Sequence, residues 1–402
     1  MSITNQGQEA TGSFVYLIMN EFHYVSYAQE VIFGPGSLLH LVEAIERFGW
    51  QRLMLCSGRS MRALGFLDAL AAILGDRLVV VFDRVWPHVQ DLQVDDALAL
   101  AVEKNVDAII GMGGGSPIGM AKAVASALEN NLTGRPARAA HPTDQPLIPV
   151  IAVPTTYAGS EMTAVYGITH TREVPPRKVT VSDPKNAPKL IIYDPELTLV
   201  LSPELTASTG INALAHCIEA LYSVTRHPLS TAAAIAGLRH ISHALLQCYA
   251  HGDDLESRTE MLLGAHLAGL SLASAAMGLH HGLCHVLGGT FNVPHGIANA
   301  IILPHAIRFN AEATAADLLP AAEAMGVAGD GLSAVAMVEA AADRIFDLIG
   351  QLNLPQRLRD AGVEEAGLPT IAQLAFQNRT VQNNPRPVTD PAQIEKLLRD
   401  AW

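Results

Sequence analysis

Charge is scarce in this sequence. Asp, Glu, Lys and Arg make up 16% of its 402 residues, and the balance is acidic, −13 at pH 7. Following a phosphate backbone takes clustered Lys and Arg, so nucleic acid is excluded as a partner. A run of roughly eighteen apolar residues, the minimum for a membrane-spanning helix, is missing as well, and no membrane partner is expected. The uncharged stretch Ala265–Leu279 is short and rich in Ala, Gly and Ser; it reads as a buried helix in close contact with its neighbours. No CxxC pair occurs among the four cysteines, Cys56, Cys217, Cys248 and Cys284. They imply a reduced, cytoplasmic protein, with Cys217 and Cys284 as small buried apolar side chains. The chain start lacks the basic segment, apolar core and cleavage site of an export signal, and residues 1–18 read as a loose extension.

What remains is largely apolar, 49% of the chain, enough at this length for two domains with a full core each. Residues 19–200 alternate strand and helix signals. Val31–Gly36 is a short strand closed by Gly-Pro-Gly, followed by a helix over Ser37–Phe48. Arg52–Ser57, Arg77–Asp83, Ala108–Met112 and Ile148–Pro154 are further strands, with helices near Arg62, over Val94–Lys104 and from Ile118. This alternation implies a parallel sheet covered on both faces, a Rossmann-like α/β nucleotide-binding domain. Val165–Thr169 and Lys189–Tyr193 read as a pair of edge strands. From Pro203 onward helical patterns take over, and residues 201–402 are expected to form an all-α helical domain.

Two strands end in loops suited to a nucleotide. Ala108–Met112 runs into Gly113-Gly114-Gly115-Ser116, where glycines let backbone approach a ligand and the next helix aims N–H groups at it. Glycine turns also join strands to helices for steric reasons alone, but this position in a parallel sheet favours binding. The GxGxxG fingerprint is absent, and no GK[ST] follows, so a dinucleotide pyrophosphate fits better than ATP. Ile148–Pro154 delivers Thr155, Thr156, Ser160 and Thr163, hydroxyls suited to a ribose or a nicotinamide amide. A helix cap would also account for Ser160 or Thr163. Lys178 is a candidate for a ribose hydroxyl, against the plain alternative of a solvated surface lysine. Ser57, at a strand's carboxyl end, joins the cofactor-binding set.

The stretch Gly278–Asn299, GLHHGLCHVLGGTFNVPHGIAN, holds His280, His281, His285 and His295 among apolar and glycine residues. On a helix, His281 and His285 lie one turn apart on one face, and so do Asn212 and His216 in TGINALAHCIEALY. A lone histidine on an apolar face is usually a hydrogen-bonded core residue. Four so close together, with a matching pair upstream, point to a functional site between helices.

The motifs GMGGGSPIGMAKA, PTTYAGSEMT, YDPELT, TGINALAHCIEALY and HHGLCHVLGGTFNVPHGIANAIILPH, in this order, resemble the iron-containing alcohol dehydrogenase superfamily, which shares its fold with dehydroquinate synthase. Within it the chain looks most like the maleylacetate reductases of bacterial aromatic degradation. The resemblance implies NADH or NADPH as hydride donor, commonly a homodimer, and a small oxo-acid substrate. In metal-dependent members one Asp and three His bind iron or zinc; those positions fall on Asn212, His216, His281 and His295, with Asn in place of Asp. An amide supplies no charge to a cation, so the resemblance implies a degenerate site and chemistry that does not require the metal. His281, His285, His216 and His295 are then the expected catalytic residues, as oxyanion donors and proton source. The reductases usually read HHKLCH, where this chain has Gly282, and AETH, where it has Gly296-Ile297-Ala298-Asn299. Positive partners for a dianion are then sought in Arg308, Lys178 or a histidinium. The strand before Ser57-Gly58-Arg59 ends without an acidic residue, which leaves NADPH allowed.

Overall fold

Strands that are apolar on both sides need a sheet with two covered faces. The computed structural model describes residue 22 and residues 24–134, 141, 143–173, 177–327, 329 and 331–402. The expected loose extension, residues 1–18, lies outside the described residues. In chain order the first lobe runs β1 (Glu30–Phe33), α1 (Leu41–Phe48), β2 (Leu53–Ser57), α2 (Arg59–Ala63), α3 (Phe66–Leu74), β3 (Leu78–Phe82), α4 (Asp91–Glu103) and β4 (Ala108–Gly113). It continues with α5 (Gly115–Thr133), β5 (Val150–Pro154), β6 (Val165–His170), β7 (Arg177–Ser182) and β8 (Leu190–Tyr193). Six strands form one parallel sheet in the order β1-β8-β5-β4-β2-β3. Side chains alternate across it: Leu53 and Leu55 pack with α1 and α3, while Met54 and Cys56 pack with α4 and α5. The α/β expectation for this half holds.

The expected edge pair does not. Lys189–Tyr193 was read as the companion of Val165–Thr169, but β8 lies inside the sheet between β1 and β5, with all four of its residues buried. The partner of β6 is β7, whose RKVTVS alternates exposed and half-buried residues, as a solvent-facing hairpin strand should. A short apolar run such as LIIY does not reveal its flanking strands, because they come from distant parts of the chain.

The second lobe comprises α6 (Pro203–Tyr222), α7 (Pro228–Ala250), α8 (Leu255–Ser274), α9 (Leu279–Phe291), α10 (His295–Ala324), α11 (Ala334–Gln351), α12 (Leu368–Phe376), α13 (Arg379–Gln382) and α14 (Pro391–Asp400). Ser202 caps α6 by accepting the Leu205 N–H, and Pro203 occupies its first turn. From Thr206 to Tyr222 nearly every residue of α6 is buried, so it runs through the middle of the lobe. Among the described residues no single helix is long and apolar enough to cross a membrane.

The stretch Ala265–Leu279 is likewise not one helix. α8 stops at Ser274, Ala275 is extended, and α9 departs at 98°. The cause is remote in sequence. Glu219 accepts the N–H groups of Gly278 (2.9 Å) and His281 (3.2 Å), and Asn384 accepts that of Leu279 (3.2 Å). Side chains from elsewhere thus satisfy the donors that a new helix start exposes. A Cβ on Gly278 would lie 3.0 Å from Asn384 Oδ1 and 3.3 Å from Glu219 Oε1, so glycine leaves room for both.

The lobes share a core, since Ile118, Ala152, Tyr157, Ile191 and Tyr193 pack in the same apolar cluster as α6 to α11. They approach closely where the loop after β5 meets α8. There a Cβ on Gly269 would lie 2.7 Å from Met162 Cγ and 3.3 Å from Gly159 O.

Candidate active site

β4 delivers Gly113-Gly114-Gly115-Ser116 onto the start of α5. Gly113 has φ +138°, and a Cβ there would meet Pro117 Cγ at 2.9 Å, so the turn needs glycine. Thr155, just after β5, donates its backbone N–H to Gly113 O at 3.0 Å. A Cβ on Gly114 would lie 3.2 Å from Thr156 Oγ1, and one on Gly115 would lie 3.9 Å from Ser160 Cβ. Glycine turn and hydroxyl loop therefore lie side by side at the carboxyl ends of neighbouring strands, where open α/β sheets bind nucleotides. No side chain caps α5, which leaves its first N–H groups to an anion.

The expected cofactor residues divide into two groups. Ser116, Thr156 and Ser160 are partly exposed. Thr155, Ser57 and Thr163 are buried. Ser57 donates its hydroxyl proton to Met112 O at 2.8 Å, and Thr163 accepts from the buried Lys122. Lys122 Nζ also donates to Ser160 O (2.6 Å) and Val165 O (3.0 Å). Burial pulls its pKa down to about 7, with Glu161 pushing back. A lysine surrounded by carbonyl acceptors in this way fastens the loop onto α5. Sequence reasoning missed it, because AKA within a helix reads as an ordinary solvated lysine. Lys178 stands exposed on β7, its Nζ 3.5 Å from His88 Nδ1. His88 itself is held at φ +62°, unusual for a non-glycine residue, with its N–H on Ser116 Oγ at 3.2 Å.

The second half of the site begins on α6. Asn212 donates from Nδ2 to Ala158 O at 3.3 Å, and His216 Nδ1 lies 3.6 Å from where a Gly159 Cβ would be. The loop bordering the glycine turn thus also borders α6. α9 stacks His281 on His216, ring centroids 4.6 Å apart. His285 lies 6.3 Å from His281; His295, at the start of α10, lies 6.0 Å from His281 and 6.1 Å from His285. The structure brings all four expected imidazoles and Asn212 to one place.

Burial and mutual crowding keep these rings neutral. His216 and His295 are held well below the ordinary imidazole value, by burial first and by His281 next. His285 keeps a solvent-exposed side, yet the surrounding protein, then His281 and the Lys178 charge, draw it down to about 4. His281 is also lowered, by burial against the pull of Glu219.

Glu219 is the residue that sequence reasoning overlooked. It is fully buried, and its Oε2 accepts from His281 Nδ1 while Tyr222 donates its hydroxyl to Oε1 at 3.3 Å. Burial opposes its ionisation, but His281 and His280 hold its pKa well below the carboxylate range. The signal was available: Asn212, His216 and Glu219 form one i, i+4, i+7 stripe on α6. His280 closes the cluster with Nε2 on Asn299 O at 3.1 Å and Nδ1 3.5 Å from Glu219 Oε2. Its Nδ1 is nearer still to His281 Nδ1, at 3.2 Å; burial opposes a charge on this ring, while Cys284 and Glu219 lift its pKa to about 10.

Arg308, a candidate partner for the substrate, and position 282, where the resembling reductases carry lysine, both lie away from the cleft. Arg308 pairs with Asp343, and at a helical rise of about 1.5 Å per residue it stands far along α10 from His295. Gly282 points at α13: a Cβ there would lie 2.4 Å from Val381 Cγ2 and 3.1 Å from Val381 N. Lysine at 282 would therefore enter the helical core, and its absence takes no charge from the cleft.

Among the described residues, Glu219, His280 and His281 form the one group of three His, Cys, Asp or Glu whose donor atoms lie within 4.8 Å of one another. Glu219 is already saturated by hydrogen-bond donors and stands behind His281. The buried polar atoms without a partner include Asn212 Oδ1, His216 Nδ1 and His281 Nε2. Imidazole nitrogens with an amide oxygen suit zinc, whereas tightly held iron would need the carboxylate that Asn212 lacks.

Residues 28–195 match the family described as iron-containing alcohol dehydrogenase, and residues 206–402 match the carboxyl-terminal domain of the Fe-containing alcohol dehydrogenase family. The chain is 37% identical over 384 residues to maleylacetate reductase of Burkholderia cepacia, covering 96% of this chain and 98% of that protein. It is 34% identical over 375 residues to 1,3-propanediol dehydrogenase of Citrobacter freundii, covering 92% and 96%. The crystal structure of maleylacetate reductase from Agrobacterium tumefaciens superposes with a TM-score of 0.81 at 32% identity, covering 96% of this chain and 99% of that one.

Proposed function

The chain belongs to the iron-containing alcohol dehydrogenase family, and from that membership we propose that it is an NAD(P)H-dependent reductase of maleylacetate or a related unsaturated oxo-dicarboxylate, serving aromatic-compound degradation. One observation carries the reading: the loop beside the glycine turn also touches Asn212 and His216, so a nicotinamide laid along it ends at the imidazole cluster.

The substrate has a carbon–carbon double bond conjugated to a ketone. A nicotinamide held by the Gly113–Ser116 turn and the Thr156 and Ser160 loop would supply a hydride to the alkene carbon remote from the ketone, with negative charge developing on the ketone oxygen as an enolate. Neutral imidazoles of His216 and His295 each retain one N–H to stabilise that oxygen. A proton then joins the carbon next to the ketone, leaving a saturated oxo-acid and oxidised nicotinamide. His285 is the proton donor, because its exposed side can be recharged from water. Its low value of about 4 describes the protein without ligand; a dianion beside it raises that value and favours the imidazolium. Lys178, whose charge acts on His285 and His295 although burial lowers its own pKa, supplies a positive partner for a carboxylate.

Metal is not required in this scheme. His216, His281 and His295, with Asn212 as a weak fourth, would be the residues to hold zinc, which supplies Lewis-acid polarisation of a carbonyl when bound. A metal-dependent alcohol or aldehyde dehydrogenase is the second reading, favoured by the similarity to 1,3-propanediol dehydrogenase. NADH and NADPH are both accommodated, since Arg59 lies exposed at the carboxyl end of β2. A homodimer belongs to the proposal, and light scattering at twice the chain mass tests it. The deciding assay follows NADH and NADPH oxidation with maleylacetate and with short aldehydes, with and without chelator. The proposal expects turnover of maleylacetate that survives EDTA; aldehyde turnover lost in EDTA would transfer the assignment to the second reading.

A further inference from the structure

Glu219 is fully buried behind the imidazole cluster and meets it through His281. Its two oxygens are fully engaged: Oε1 by the Gly278 N–H and the Tyr222 hydroxyl, Oε2 by the His281 N–H and His281 Nδ1. Oε2 already takes the His281 backbone N–H and pairs best with a protonated ring nitrogen, so the proton on His281 sits on Nδ1, and His280 Nδ1, 3.2 Å from that nitrogen, faces it as an acceptor. Nε2 then carries a lone pair, and it is that nitrogen which is buried without a partner. The same contacts set where α9 begins, since Glu219 takes two of its first N–H groups. One side chain therefore fixes the helix start, the ring's orientation and its tautomer.

We infer that Glu219 is a positioning residue which locks His281 as the Nδ1–H tautomer and presents its Nε2 lone pair to the ligand. His281 is thus an acceptor in the resting site, not a donor, and the proton for the product comes from another imidazole. A ligand reaching His281 must bring a donor of its own: a water molecule, an enol hydroxyl or a cation. The inference rests on the reductase reading only for its kinetic consequence; the tautomer stands independently of the substrate.

The test has two arms. In ¹⁵N-histidine-labelled wild-type protein, long-range ¹H–¹⁵N correlations report which nitrogen of His281 is protonated, with the signals assigned by their loss in His281→Ala. The expected pattern is a protonated Nδ1 and a bare Nε2; the opposite pattern overturns the inference even if maleylacetate is not turned over. In the kinetic arm, Glu219→Ala lowers kcat by about 10- to 100-fold and leaves KM for NAD(P)H unchanged. Glu219→Gln, which keeps an acceptor for Nδ1–H, recovers part of the loss. The double variant Glu219→Ala/His281→Ala is no worse than His281→Ala within about threefold, because both changes remove one unit. Losses that multiply in the double variant would show Glu219 acting apart from His281 and refute the positioning role. If wild-type protein fails to oxidise NAD(P)H with maleylacetate, the reductase reading falls while the spectroscopic arm still decides the tautomer.

Discussion

Replacing Gly269 by Ala adds a single methyl group where the two lobes touch. That carbon would sit 2.7 Å from Met162 Cγ, 3.1 Å from Met162 Cβ and 3.3 Å from Gly159 O. Ordinary carbon–carbon contact needs about 3.5–4.0 Å, so roughly 1 Å must be yielded. Met162 is 2% exposed and Gly159 is held at φ +78°, which leaves neither an easy direction. Overpacking of this kind costs about 1–3 kcal/mol, offset by about 1 kcal/mol for Ala over Gly in a helix interior. The expected net is about 1 kcal/mol of destabilisation. Relief comes from moving the loop that holds Thr156 and Ser160 beside the glycine turn and Gly159 beside His216. An error of about 1.4 kcal/mol there is tenfold in binding. Urea unfolding followed by circular dichroism, together with KM for NAD(P)H, reads both effects. Unchanged stability with unchanged KM in Gly269→Ala would refute a cleft assembled through this contact.

His281→Ala should lower turnover by at least about a hundredfold, because the ring whose Nε2 accepts from the ligand and on which His216 stacks is lost; near-normal kcat in steady-state assays would remove His281 from the site's chemistry. Asn212→Asp restores a negative charge among the imidazoles and should raise zinc affinity at least about tenfold; titration calorimetry that finds no change would show Asn212 is not a ligand position. Burial pulls His266 and His305 down to about 4. A folded value below the free value of about 6.5 contributes stability that is complete above that pH and is lost as pH falls toward 4. The urea midpoint should therefore drop between those pH values, less steeply in His266→Gln, and a flat profile would contradict the assignment.

Which residues gather at the site was legible in the sequence, and their scaffolding was not. Glycine turns and runs of histidine are local, so Gly113–Ser116 and His281, His285 and His295 stood out by spacing alone. The place of β8, the break between α8 and α9 and the turning of Gly282 toward α13 each depend on a partner far along the chain. Glu219 falls between these cases. It shares a stripe with Asn212 and His216, yet a single glutamate before Ala-Leu-Tyr reads as helix surface until α9 is seen to begin on it. The same applies to Lys122, whose carbonyl partners arrive from the loop after β5.

The central claim is that hydride goes to the conjugated alkene and leaves the ketone intact. Nicotinamide deuterated at C4, turned over with maleylacetate in the presence of chelator, tests it directly through NMR of the product. Deuterium on a chain methylene of a saturated oxo-acid is the expected result. Deuterium on a carbinol carbon would contradict it and assign the site to carbonyl reduction.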